Sequence, residues 1–131
     1  MALSLVDAQK AIAAAQAKAE GLGITIAAVV VDGRGDIVAA ARMDSARWFT
    51  ADVARGKAFL SATFGRPSAD IAENADNPFF RSMLAHFEGK IVFSAGAVPI
   101  VQDGAPIGAI GTSGGTGEQD AECATAGVAS I

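Results

Sequence analysis

Tyrosine is absent from this 131-residue chain, and cysteine and histidine occur once each, as Cys123 and His86. A single cysteine excludes an internal disulfide. One histidine and one cysteine supply too few ligands for a structural zinc site built from those two residue types, so no metal centre is expected. Charged residues make up only 18% of the chain and lean acidic, with a formal net charge of −4. No basic cluster is present, which argues against a nucleic-acid partner. No apolar run approaches the roughly 18 to 20 residues that cross a bilayer, which argues against a membrane partner. The N-terminus lacks a basic segment followed by an apolar one, so no signal peptide is expected and the cytoplasm is the expected compartment.

What is present is apolar and small. Apolar residues reach 51%, enough for a real core and too many for a disordered chain. The length suits one domain, and neither a repeat nor a linker divides residues 1–131.

The stretch Ile91 to Asp120 carries the densest signals. Apolar runs at Ala97 to Val101 and Ala105 to Thr112 flank Gln102-Asp103-Gly104, a hairpin signal because glycine accepts the positive φ of a tight turn. The second run breaks into Gly-Thr-Ser-Gly-Gly-Thr-Gly, and a helix is predicted straight after it, N-capped by Thr116. The inner end of the hairpin and this glycine turn, with Gly96, Gly111 and Ser113, are the expected ligand-facing surface. A phosphate loop is excluded, because Glu118 stands where a lysine would be needed. A serine-hydrolase elbow is not present around Ser113 either.

Upstream, apolar spacing predicts a helix over Ser4 to Leu22, with Leu5, Ala8, Ile12, Ala15, Ala19 and Leu22 on its buried stripe. Ile24 to Val31 reads as a strand buried on both faces, and Asp36 to Met43 as its hairpin partner. A second helix is predicted over Ser45 to Phe64, with Phe49, Val53, Leu60 and Phe64 inward and Lys57 on the same stripe. An inward lysine either snorkels to an edge, meets a negative partner, or aims a cation into a pocket. A short helix is predicted over Ser68 to Glu73, and another from Asn77-Pro78 to Gly89. That last helix gathers Phe79, Phe80, Met83, His86 and Phe87, which are either ordinary core or the apolar wall of a ligand cavity. The ionisable set Arg42, Asp44, Lys57, Glu118 and Asp120 falls at element ends or on that inward stripe. It reads as structural ion pairs, as an anchor for an anionic ligand, or as acid and base for proton transfer, with Asp44, Lys57, Glu118 and Asp120 the catalytic candidates.

Several of these pieces together resemble the GlcG/HbpS family, which includes the C-terminal domain of PduO-type proteins. They are Val31-Asp32-Gly33 with Gly35, Arg42-Met43-Asp44, Lys57-Ala58, Val98-Pro99-Ile100, Gly104, Ile107 to Gly111, Ser113-Gly114 and Gln119-Asp120. The resemblance implies an α/β (α+β) domain of profilin-like architecture, with a mostly antiparallel sheet of about five strands flanked by helices. It also implies homo-oligomers, from dimers to octamers, and binding of haem or another flat organic ligand. Arg42 and Lys57 would then meet carboxylates, while Met43, Phe80, Met83, His86 and Phe87 line the cavity. In some members a first-helix histidine holds the iron; this first helix has none, which leaves His86, Met43, Met83 and Cys123 as donors. A glycine pair ahead of the proline-bearing strand is Ala95-Gly96 here. The alternative is an enzyme without an organic or metal cofactor, of isomerase, hydratase or lyase type, acting on a small organic acid in a catabolic pathway.

Overall fold

The computed structural model describes residues 2–131. The elements run α1 (Leu5–Leu22), β1 (Ala27–Asp32), β2 (Ile37–Arg42), α2 (Thr50–Phe64), α3 (Ser68–Ala72), α4 (Pro78–His86), β3 (Ala97–Gln102), β4 (Ala105–Ser113) and α5 (Gly117–Ala129). The sheet has the order β2-β1-β4-β3 and every neighbouring pair is antiparallel. It has four strands rather than about five; Ile91 to Ser94, just ahead of β3, form none.

β1 is central and buried on both faces, as its unbroken apolar run requires. Its side chains alternate as a strand's must. Ala28 and Val30 face one core with Ala8, Ala11, Ala15, Ile110, Cys123 and Ala124, where α1 and α5 lie side by side. Val29 and Val31 face a second core with Ala54, Ala58, Ala62 and Ala109, beneath α2. Leu5, placed on the buried stripe by its spacing, is 52% exposed; the stripe itself is Ala8, Ala11, Ile12, Ala15 and Ala19.

The turns behave as their residues dictate. Asp103 and Gly104 have φ of 52° and 77°, so both central residues of the two-residue hairpin are left-handed, the geometry that matches strand twist. Asp32 Oδ1 accepts from the amides of Arg34 (2.9 Å) and Asp36 (3.1 Å) and so closes the first hairpin.

α2 departs from expectation at its start and on its buried face. It begins at Thr50, not Ser45, because Ser45 has φ 70° and cannot continue a right-handed helix. Its buried face is Thr50, Ala54, Lys57, Ala58 and Ser61 with Leu60, while Phe49, Val53 and Phe64 are only half-buried. The reason lies in β4. A Cβ on Gly111 would stand 2.1 Å from the Ala54 carbonyl oxygen and 2.9 Å from the Ala58 nitrogen, so helix and strand meet backbone to backbone. Only small side chains fit such an approach.

The aromatic block packs largely against α2 and α3. Phe80, Met83 and Phe87 pack with Phe59, Phe64 and Phe93 on a third cluster, built on Leu60, Ile71 and Ile91. α4 therefore covers the outer side of α2 and contributes no fully buried residue of its own. Much of the aromatic surface expected to wall a cavity facing the glycine turn is thus packed in this cluster, while Phe59 and Phe87 at its edge also line an open groove.

Candidate functional site

The glycine turn closes over a buried ion pair. Lys57 Nζ donates to Asp120 Oδ2 at 3.1 Å and to the Thr112 carbonyl oxygen at 3.0 Å. Both residues are 3% exposed. The other carboxylate oxygen, Asp120 Oδ1, accepts from the Gly115 amide at 2.9 Å. The Thr112 hydroxyl lies 2.5 Å from the Asp120 main-chain oxygen, to which it donates, and 3.2 Å from that of Gly96. Four segments thus meet at one point: the middle of α2, the start of β3, the end of β4 and the first turn of α5. Gly96 makes the closure possible, since a Cβ there would stand 2.8 Å from Lys57 Nζ. The first turn of α5 is fixed by a capping box in which Thr116 and Gln119 satisfy each other's amides.

This arrangement selects among the readings of Lys57. It meets a negative partner and does not snorkel. Gly96 and Gly111 are occupied in packing against Lys57 and α2. With both Asp120 oxygens taken by donors inside the protein, the pair acts first as a lock on the turn.

Outside the lock lies a groove of about 290 Å³ lined by Arg47, Phe49, Thr50, Ser113, Gly114 and Gly115. Ser113 is 6% exposed, yet its hydroxyl makes no hydrogen bond among the described residues. Arg47 is exposed and joins no salt bridge among them. Arg47 and Thr50 escaped the sequence reading, because the connection after Met43 carries no motif; their only signal was proximity to the strand end.

The remaining candidates are scattered. Arg42, Met43 and Asp44 line a separate groove of about 420 Å³ with Gln16 and Glu20 of α1. Met43 Sδ accepts from the Ile26 amide at 3.3 Å. Glu118 is exposed and points away from Asp120, along a groove shared with Lys18 and Glu122; two residues apart on a helix face different ways. His86 is exposed at the end of α4, its ring 5.1 Å from that of Phe87. Cys123 is fully buried, and burial, reinforced by the charges of Asp120 and Glu122, pushes its thiol up to about 11. It is held as a neutral thiol and is a poor metal ligand. Among the described residues, no three His, Cys, Asp or Glu side chains gather around a possible metal ion, and no helix is long and apolar enough to cross a membrane.

A four-stranded antiparallel sheet with paired terminal helices on one face, a middle helix on the other and a locked glycine turn defines the class. The chain belongs to the family described as haem degrading protein HbpS-like, whose pattern it matches over residues 3–129. The crystal structure of an HbpS double mutant from Streptomyces reticuli is similar at a TM-score of 0.88, with 31% identity, over 98% of this chain and 86% of that one. A PduOC:heme complex is similar at 0.89, with 28% identity, over 100% of this chain and 96% of that one. The corrinoid adenosyltransferase PduO of Salmonella typhimurium is 27% identical across this whole chain, which spans only 39% of that protein's length.

Proposed function

We propose that this chain is a small-molecule-binding protein whose ligand is a flat organic anion, haem being the first candidate. The observation that carries this reading is the superposition of the whole chain on a relative crystallised with haem. This chain's own donors narrow where haem would be held. Cys123 is sealed in the core and Met83 packs in the aromatic cluster. Met43 lines a groove with Arg42, but its sulfur accepts from the Ile26 amide at 3.3 Å and Glu20 and Asp44 share the groove, so it would meet iron only by giving up that contact. His86, exposed on α4, would hold the iron at no such cost. Bound haem would supply the iron, and this chain would supply the side chain that holds it and a cation for its carboxylates.

We also propose a cytoplasmic homo-oligomer, dimer to octamer, serving a catabolic pathway. Exposed Leu5, Val6 and Trp48 give such assembly apolar surface to cover. Titrating the protein with haemin is expected to give a saturable Soret shift that weakens in Met43→Leu or in His86→Ala. Absorbance that simply tracks free haemin overturns the reading.

The unbonded Ser113 hydroxyl beside Arg47 favours one further reading, an enzyme acting on a small organic acid without a cofactor. Arg47 would hold the carboxylate and Ser113 would donate to it. Lys57 and Asp120 would keep the turn in place, and Asp44 and Glu118, which line other grooves, are less suited to its chemistry. A screen of organic acids in which Ser113→Ala and Arg47→Gln keep full turnover removes this reading.

A further inference from the structure

We infer that the groove between the first hairpin turn, α2 and the end of α4 is a binding site for a small arene carboxylate. It does not rest on the haem reading, since no iron donor lines it. Its volume is about 440 Å³, within the roughly 300–1,000 Å³ of small-molecule sites.

Three cations line it, Arg34, Arg55 and Lys90, against one carboxylate, Asp36. Arg34 and Asp36 lie 3.9 Å apart and offset each other. Arg55 and Lys90 join no salt bridge among the described residues. Two uncompensated cations thus converge on one groove in a chain whose net charge is −4. A neutral occupant would leave them unused and a cationic one would be repelled.

The other walls are apolar and aromatic: Phe59, Phe87 and the largely exposed Ile37. The two rings have centroids 5.7 Å apart and planes at 58°. Phe59 is seated on the hairpin backbone, since a Cβ on Gly35 would stand 2.4 Å from its Cδ2. The aromatic wall is therefore formed before any ligand arrives, which lowers the cost of ordering it. A flat apolar body against the rings and a carboxylate between Arg55 and Lys90 satisfy both halves of the groove.

The test is a titration of the full chain with 1-naphthoate, followed by calorimetry and amide shift mapping, with 1-naphthalenemethanol as the uncharged control. Saturable binding is expected, with shifts at Gly35, Ile37, Phe59, Phe87 and Lys90 and markedly weaker binding of the alcohol. Arg55→Gln and Lys90→Gln are each expected to weaken binding about tenfold, the loss of one charge-assisted contact. Lys90 is exposed, so its variant tests charge without risk to the fold. Equal affinity for the alcohol, wild-type affinity in both variants, shifts confined to the glycine turn, or no saturation at millimolar naphthoate would each overturn the proposal.

Discussion

Beneath the glycine turn, Lys57 and Asp120 are sealed from water and matched to each other. At the first hairpin tip, Arg55 and Lys90 reach a groove with no partner. Both regions place cations beside apolar surface, but Lys57 is matched by a carboxylate whereas Arg55 and Lys90 join no salt bridge among the described residues. Charge satisfied inside the protein holds the turn; charge left open beside aromatic rings is where the proposed carboxylate would be held.

The largest effect is expected where the sealed region is broken from one side. Asp120→Ala leaves Lys57 buried and unpaired, frees the Gly115 amide, and should cost about 3–5 kcal/mol in denaturant unfolding. Lys57→Met with Asp120→Leu removes both charges and should recover much of that loss; a double variant as unstable as Asp120→Ala would show that the pair is more than a matched charge. Next is Gly111→Ala. Its methyl would meet the Ala54 carbonyl oxygen at 2.1 Å, backbone that cannot rotate aside, so a loss of roughly 3 kcal/mol is expected. Wild-type stability there would mean that α2 is free to lift from β4.

Cys123 sharpens the comparison through pH. In the unfolded chain its thiol loses a proton near 9.0, whereas in the folded one it holds to about 11. The folded state thus keeps the proton where the unfolded state has lost it, and stability falls as pH rises through that window. The full loss is of order 2–3 kcal/mol, read as the difference between wild type and Cys123→Ala in unfolding from pH 8 to about 11. Parallel curves for the two would contradict it.

Much of the frame was legible in the residues. The continuous run of β1, the Asp103-Gly104 turn, the Thr116 cap and the Asn77-Pro78 helix start each carry a local cause, so spacing alone revealed them. The inward placement of Lys57 was legible too, as an anomaly on a buried stripe. Its partner was not, because Asp120 is brought to it by the crossing of α2 with the start of α5. The aromatic helix was ambiguous for a related reason. Phe80, Met83 and Phe87 look alike whether they line a cavity or fill one, and the packing of α4 against α2 and α3 gathers them in a cluster whose edge, at Phe87, still lines a groove. Arg47 and Arg55 sit in no motif; each lines a groove made by segments distant in sequence.

Thermal unfolding of two variants tests the contrast most directly. Lys57→Met should lower Tm by many degrees, because it strands the Asp120 carboxylate, whereas Arg55→Gln combined with Lys90→Gln should change stability by no more than about 0.5 kcal/mol, a shift of only a few degrees. A Lys57→Met protein as stable as wild type, or a large loss from opening the hairpin-tip groove, would contradict the division between the charge that holds this fold and the charge that is free to bind.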